Sequence, residues 1–335
     1  ASPPTSSMNG MTGEREAVVS HLLAIDDLAD DLRAVLDWAI TFKRDLDIAP
    51  EFTPLAGLAV GSIYEKPSTR TRVSFEVGIS RLGGHPLTLL KNDIQLGGSE
   101  SVSDTAKVLS RYLAAITYRC FAHADVEELA AHSDVPVINA LSDTHHPCQA
   151  AADLMTIMER FDDLDEVHIA YVGDGNNVLH DLMLAAAILG CDISWATPAG
   201  HEPSVEVVER AGHLASLSGS SLSASNDPVE AVSGANVIYT DVFISMGEEH
   251  LEHKQSAFEG FQVNEELVSS AADDWVFMHC LPAHRGDEVT DGVIDSPNSI
   301  VFDQAENRMW AQMSILTLLC DRAAWETYAE LMEID

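Results

Sequence analysis

The run Glu65-Lys-Pro-Ser-Thr-Arg-Thr-Arg-Val-Ser-Phe75 gathers Lys66, Arg70 and Arg72 with the hydroxyls of Ser68, Thr69 and Thr71, in a chain otherwise poor in basic residues. Residues 57–64 before it read as a short buried strand, and Val73, Phe75, Val77, Ile79 and Leu82 after it recur at helical spacing. Ser68 and Thr69 therefore fall where a helix begins. Free backbone N–H groups, hydroxyl donors and guanidinium forks at such a point make a socket for an anion, with phosphate the natural guest. A plain Ser/Thr cap beside a solvated basic turn is the alternative.

Further groups stand at the ends of other strands. His145-His-Pro-Cys-Gln149 follows a strand expected at 135–141, at the edge where open α/β sheets hold ligands. His146 suits donation to a carbonyl oxygen. A metal at His145, His146 and Cys148 is discounted, because no second cluster with ligand spacing follows. Gly173-Asp-Gly-Asn-Asn-Val178 sits between strand and helix as a dinucleotide loop does, but Val178 stands where a third small residue belongs. NAD is therefore not expected, and paired Asn side chains suit the carboxylate and amine of an amino acid. His279-Cys-Leu-Pro282 ends another strand, and with Asp241 and Ser245-Met-Gly247 it sketches a pocket for an amine. Arg308, near the start of the last helix, opposes the helix dipole and points to an anion.

The elements that must place these groups alternate. Strands are expected at 57–64, 87–91, 115–119 and 135–141, then at 167–172, 192–196, 221–224, 237–240, 276–279 and 300–302, with helical patterns between them. That alternation predicts an α/β protein of two domains, each a parallel sheet flanked by helices. A final helix at 305–332 is long enough to pack back on the first domain. Helical patterning also begins near Glu14 and runs in two pieces to Asp45. The expected division is a disordered 1–13, a first domain at 14–154 and a second at 155–335. The polar, Gly-rich loop 93–100 reads as a lid or an interface.

The 335 residues include 54 acidic and 18 basic ones, a formal charge of −36 spread along the chain. Such a surface repels nucleic acid and anionic lipid, so neither is expected as a partner. Dispersed acidity with so few lysines predicts a halophilic protein, folded in salt that screens its self-repulsion. Five cysteines without a C-x-x-C pair read as reduced thiols. No signal-peptide pattern stands at the start, and no apolar run is long enough for a bilayer, so a cytoplasmic location is expected.

Ser68-Thr-Arg-Thr-Arg72, Asp93-Ile-Gln-Leu-Gly97, His146-Pro-Cys-Gln149, Gly173-Asp-Gly-Asn-Asn177, Asp241 with Ser245-Met-Gly247, His279-Cys-Leu-Pro282 and Glu306-Asn-Arg308 follow one another in order. Together they resemble the aspartate/ornithine carbamoyltransferase family, its ornithine branch above all, over roughly residues 15–330. The resemblance implies an N-terminal domain for carbamoyl phosphate, a C-terminal domain for the amino acid, and a homotrimer, or a multiple of trimers, with sites between subunits. It implies no metal and no organic cofactor. By the same resemblance Ser68, Thr69, Arg70 and Thr71 hold the phosphate, and Arg119, His146 and Gln149 bind the carbamoyl end. Arg308 closes the site, and Gln95 reaches a site in its own or a neighbouring subunit. Asn177, Asp241, Ser245 and Met246 match the ornithine positions, and Cys280 and Leu281 border both ligands. The implied reaction carries the carbamoyl group to the side-chain amine of L-ornithine, giving L-citrulline and phosphate, or runs in reverse. Arg70, Arg119, His146 and Cys280 are its expected catalytic residues, with Cys280 as proton acceptor or orienter. Arg72 is expected to pair with nearby carboxylates. Putrescine, acetylornithine or aspartate as acceptor, and a catalytically silent subunit, are the competing readings.

Overall fold

The computed structural model describes residues 20–45, 51–244 and 252–334. Strands β1 (Ala59–Tyr64), β2 (His85–Leu90), β3 (Ala115–Arg119) and β4 (Val137–Leu141) form one sheet in the order β2-β1-β3-β4. Strands β5 (His168–Val172), β6 (Asp192–Ala196), β7 (Leu222–Ser225), β8 (Val237–Thr240) and β9 (Val276–His279) form a second in the order β7-β6-β5-β8-β9. Every pairing is parallel. The strands that lie inside the sheets read as continuous apolar runs because helices cover both faces. The edge strand β2 instead alternates between exposed and half-buried positions. Each sheet reverses its strand order once, between β1 and β3 and between β5 and β8. At such a point the loops diverge and leave a crevice beyond the strands' carboxyl ends.

In the first half the helices are α1 (Leu32–Asp45), α2 (Arg70–Arg81), α3 (Val102–Leu109), α4 (His123–Ala131) and α5 (Pro147–Arg160). In the second they are α6 (Asn177–Leu189), α7 (Val205–Ser218), α8 (Pro228–Val232), α9 (Glu265–Val268), α10 (Asp291–Ile294), α11 (Val301–Cys320) and α12 (Arg322–Leu331). One apolar cluster runs through α1, α5, α6, α11 and α12 and joins the two halves. The long α11 packs on α1, α2 and α5, returning the chain to the first domain. Behind it Tyr328 of α12 lies 4.8 Å from the Trp38 ring, which stacks on Phe42 at 4.7 Å. Among the described residues no helix is long and apolar enough to cross a membrane.

Three local expectations need correction. Residues 300–302 are not a strand: Phe277 makes a single bridge to Ser299, and Val301 already opens α11. The buried stripe that follows is Gln304, Asn307 and Arg308, whose polar character hides the helical period. The last helix is two helices, because the Asp321 carboxylate accepts the Ala324 N–H and caps α12. A short acid that binds backbone favours a cap over a helix interior. Near the start, Leu22 is not helical but bridges Ile138 beside β4, and the Asp27 carboxylate takes the N–H groups of Leu23 and Ala24. The expected disordered stretch 1–13 and the helical start at Glu14 lie outside the described residues.

Candidate active site

The carboxyl ends of β1 and β3 face those of β5, β8 and β9 across one cavity of about 350 Å³. On the first side α2 begins as the sequence requires. Thr69 at its N-cap makes no capping bond through its side chain, and no acid stands in the first turn. Ser68, Thr69, Arg70 and Thr71 all line the cavity from this point. Lys66, to which the resemblance gives no role, lines it too; its ammonium is held 4.6 Å above the Phe121 ring. Arg72 is different. Its Nε donates to Glu76 at 2.9 Å on the exposed side of α2, away from the cavity.

Arg119 arrives from the end of β3 and Arg308 from α11, and both guanidiniums donate to the Thr71 hydroxyl, at 3.5 and 3.1 Å. Arg308 also donates to Gln149 Oε1 at 2.6 Å. Burial and the neighbouring Arg308 and Arg70 push Arg119 down to about 10. Among the described residues Arg119 Nε, Arg308 Nε and His146 Nδ1 are buried without a hydrogen-bond partner. The guanidiniums of Arg70, Arg119 and Arg308 converge with no carboxylate bonded between them among the described residues, and with unspent donors they constitute a demand for an anion. His146 sits at the N-cap of α5, where burial and then Arg308 and Arg119 hold its pKa well below 6.5. It is therefore a neutral imidazole, able to donate one N–H to an oxygen without adding to the positive charge.

The opposite wall is built from the second sheet. Gly175 lets the loop after β5 lie against residues 201–203, since a Cβ there would meet Pro203 N at 2.3 Å. That glycine serves chain packing, not a pyrophosphate. Asn177 lines the cavity and donates to the Ser142 carbonyl at 2.6 Å. Its neighbour Asn176 caps α6 through its oxygen and donates its amide to Asp241 at 2.8 Å. No spacing rule separates the two asparagines, so this second role is invisible in the motif. Cys280 donates its thiol to the other Asp241 oxygen at 3.0 Å. Burial and that carboxylate raise the thiol well above its usual range. Leu281 follows at φ 58°, a left-handed conformation unusual for a branched side chain, before a cis bond to Pro282.

Asp241, His279 and Cys280 place possible ligand atoms within 4.8 Å of one another. A metal does not fit them. The His279 Nε2 faces Glu288 at 3.1 Å, and its Nδ1 accepts the Leu281 N–H at 2.8 Å, so neither ring nitrogen has a lone pair free. Below the cavity Asp153 is fully buried, and burial pushes its carboxyl up to about 6. Its Oδ1 accepts from Gln149 and Gln304, and no sequence motif marks it.

One expected residue, Gln95, is not in the cavity. Gln95 lies exposed on the loop after β2, where its amide oxygen accepts from Ser99. Ser245 and Met246 lie outside the described residues.

The chain matches two family profiles, the carbamoyl-P binding domain of aspartate/ornithine carbamoyltransferase over residues 20–159 and the Asp/Orn binding domain over 165–319. It is 52% identical over 300 residues to an ornithine carbamoyltransferase of Pyrococcus horikoshii, covering 89% of this chain and 95% of that one. A catabolic ornithine carbamoyltransferase of Thermoplasma acidophilum is 51% identical, covering 88% of this chain and 96% of its own. The solved ornithine carbamoyltransferase of Pyrococcus furiosus superposes with a TM-score of 0.87 at 51% identity, over 90% of this chain and 97% of that one. Both halves and their order agree: the chain belongs to the aspartate/ornithine carbamoyltransferase family.

Proposed function

We infer that the protein transfers the carbamoyl group between carbamoyl phosphate and the side-chain amine of L-ornithine, giving L-citrulline and phosphate, or runs the reverse in arginine breakdown. The observation that carries this reading is the polarity of the cavity. Arg70, Arg119 and Arg308 converge on one wall, and Asp241 stands on the other beside Asn177. A phosphate with a carbonyl carbon fits the first wall, and an α-amino acid with a free ammonium fits the second.

In this reading Ser68, Thr69, Arg70 and Thr71 hold the phosphate oxygens. Arg119 and neutral His146 donate to the carbamoyl oxygen, and the Gln149 amide oxygen accepts from the carbamoyl NH₂. Arg308, whose Nε is unspent, closes over the phosphate. Asp241 pairs the α-ammonium of ornithine, with Asn177, Ser245 and Met246 around it and Leu281 at the boundary. The neutral δ-amine attacks the carbamoyl carbon, negative charge develops on the oxygen, and preorganised donors stabilise it without reorganising. The C–O bond to phosphate then breaks, and the departing phosphate takes the proton shed by the amine. Cys280, held as a thiol, orients Asp241 rather than acting as a base.

The finer expectations belong here as well. Exposed Val73, Val77, Leu87 and Leu90 on α2 and β2 of the first domain support burial in a homotrimer. There Gln95 reaches a neighbour's site. The net charge of −36 supports adaptation to strong salt and a cytoplasmic location. The division into 14–154 and 155–335 places the junction inside α5, a helix shared by both halves. The test is a citrulline assay in high salt with ornithine, putrescine, acetylornithine and aspartate side by side. Product with ornithine alone is expected, and product with none of them overturns the reading.

A further inference from the structure

Asp153 is a buried carboxylate with no cation bonded to it among the described residues, a placement that stability alone disfavours. Its bonds reach three separate parts of the chain. Gln149, one turn earlier on α5, donates its amide to Oδ1 at 2.8 Å. Gln304 of α11 donates to the same oxygen at 2.7 Å, and Tyr239 of β8 donates its hydroxyl to Oδ2 at 3.0 Å. A carboxylate only accepts, so it dictates which end of each amide faces it. The Gln149 oxygen is thereby turned toward Arg308 and the cavity. The Gln304 oxygen is turned the other way, where it accepts the His279 N–H at 2.9 Å, at the root of the loop that carries Cys280.

We propose that Asp153 is a positioning residue that sets both walls of the site at once, holding Gln149 on the carbamoyl side directly and the Cys280 loop on the acceptor side through Gln304. This rests on the carbamoyl-transfer reading. The link crosses from the first domain to the second through the returning helix, so the spacing between the two ligands is fixed by hydrogen bonds as well as by apolar packing.

The test compares two nearly isosteric variants with the wild type. Asp153→Leu frees the Gln149 amide and raises the KM for carbamoyl phosphate while lowering kcat, with kcat/KM falling on the order of 100-fold as the reacting groups lose register. Gln304→Met leaves the Gln149–Asp153 bond in place. It raises the KM for ornithine by about 10-fold and leaves that for carbamoyl phosphate close to wild type, a loss in line with one buried hydrogen bond. Should Asp153→Leu fail to fold, the substrate split in Gln304→Met decides alone. Wild-type kinetics in a folded variant, or equal effects of Gln304→Met on both substrates, overturns the positioning role while leaving the carbamoyl-transfer reading intact. A wild-type protein that neither binds carbamoyl phosphate nor forms citrulline overturns both.

Discussion

At the β1/β3 switch point the cavity wall carries Lys66, Arg70 and Arg119, whereas the β5/β8 switch point presents Asp241 with Asn176 and Asn177. Both crevices come from the same event, a reversal of strand order in a parallel sheet. Their charges are opposite. The fold therefore decides where a ligand sits, and a few loop residues decide which ligand it is. The two walls are also built differently. The first is mostly one continuous run, Lys66 to Thr71, at a helix start; the second is assembled from the ends of β5, β8 and β9, with hydrogen bonds between them. A continuous run works through charge and backbone N–H groups, while an assembled wall depends on the orientation of one carboxylate.

If this contrast holds, damage to each wall should act on its own substrate. Arg119→Met removes a donor aimed at the developing oxyanion, and kcat for citrulline formation should fall on the order of 100- to 1,000-fold. Asp241→Asn should raise the KM for ornithine roughly 10- to 100-fold, the loss expected for a charge-assisted bond, and leave carbamoyl phosphate affinity near wild type. Comparable losses for both substrates in steady-state kinetics would break the division.

A smaller effect sharpens the cationic wall. The His146 imidazole is held well below the usual 6.5. Between that depressed value and 6.5 the unfolded chain binds the extra proton, so this group makes stability rise with pH across the interval and adds nothing above it. His146→Gln should flatten that part of the stability–pH curve in denaturant titrations. The smallest effect belongs to Arg72, whose exposed pair with Glu76 spans one helical turn. Arg72→Gln should cost about 0.3–0.5 kcal/mol of stability and leave carbamoyl phosphate affinity unchanged. A large loss of affinity would return Arg72 to the socket.

Much of this was legible in the chain. The β3, β6, β8 and β9 boundaries coincide with the expected strands because short apolar runs ending at Gly, Pro or polar residues leave little choice. Ser68, Arg70, Arg119, His146, Gln149 and Arg308 were singled out from their residue types and places at element ends, or from family order, and all line one cavity. Residues 300–302 differ because Gln304, Asn307 and Arg308 are buried polar residues that a hydrophobic period cannot register, and the break at Asp321 because a capping side chain leaves the apolar period unbroken. Asp153 and Gln304 carry no signal, and Asn176 cannot be told from Asn177 in the motif, since their partners Gln304, Asp153 and Asp241 stand far away in sequence.

The sequence by itself determined the α/β alternation, the helix start that gathers cations at Lys66 to Thr71, and the ordered motifs that mark the family. Those properties are local, or are a matter of order along the chain. Only the tertiary structure decided that the Cys280 thiol donates to Asp241, and that Asp153 ties Gln149 to the Cys280 loop through Gln304. Strand order and helix return bring these groups within hydrogen-bond reach, and a hydrogen bond across 151 residues leaves no trace in spacing.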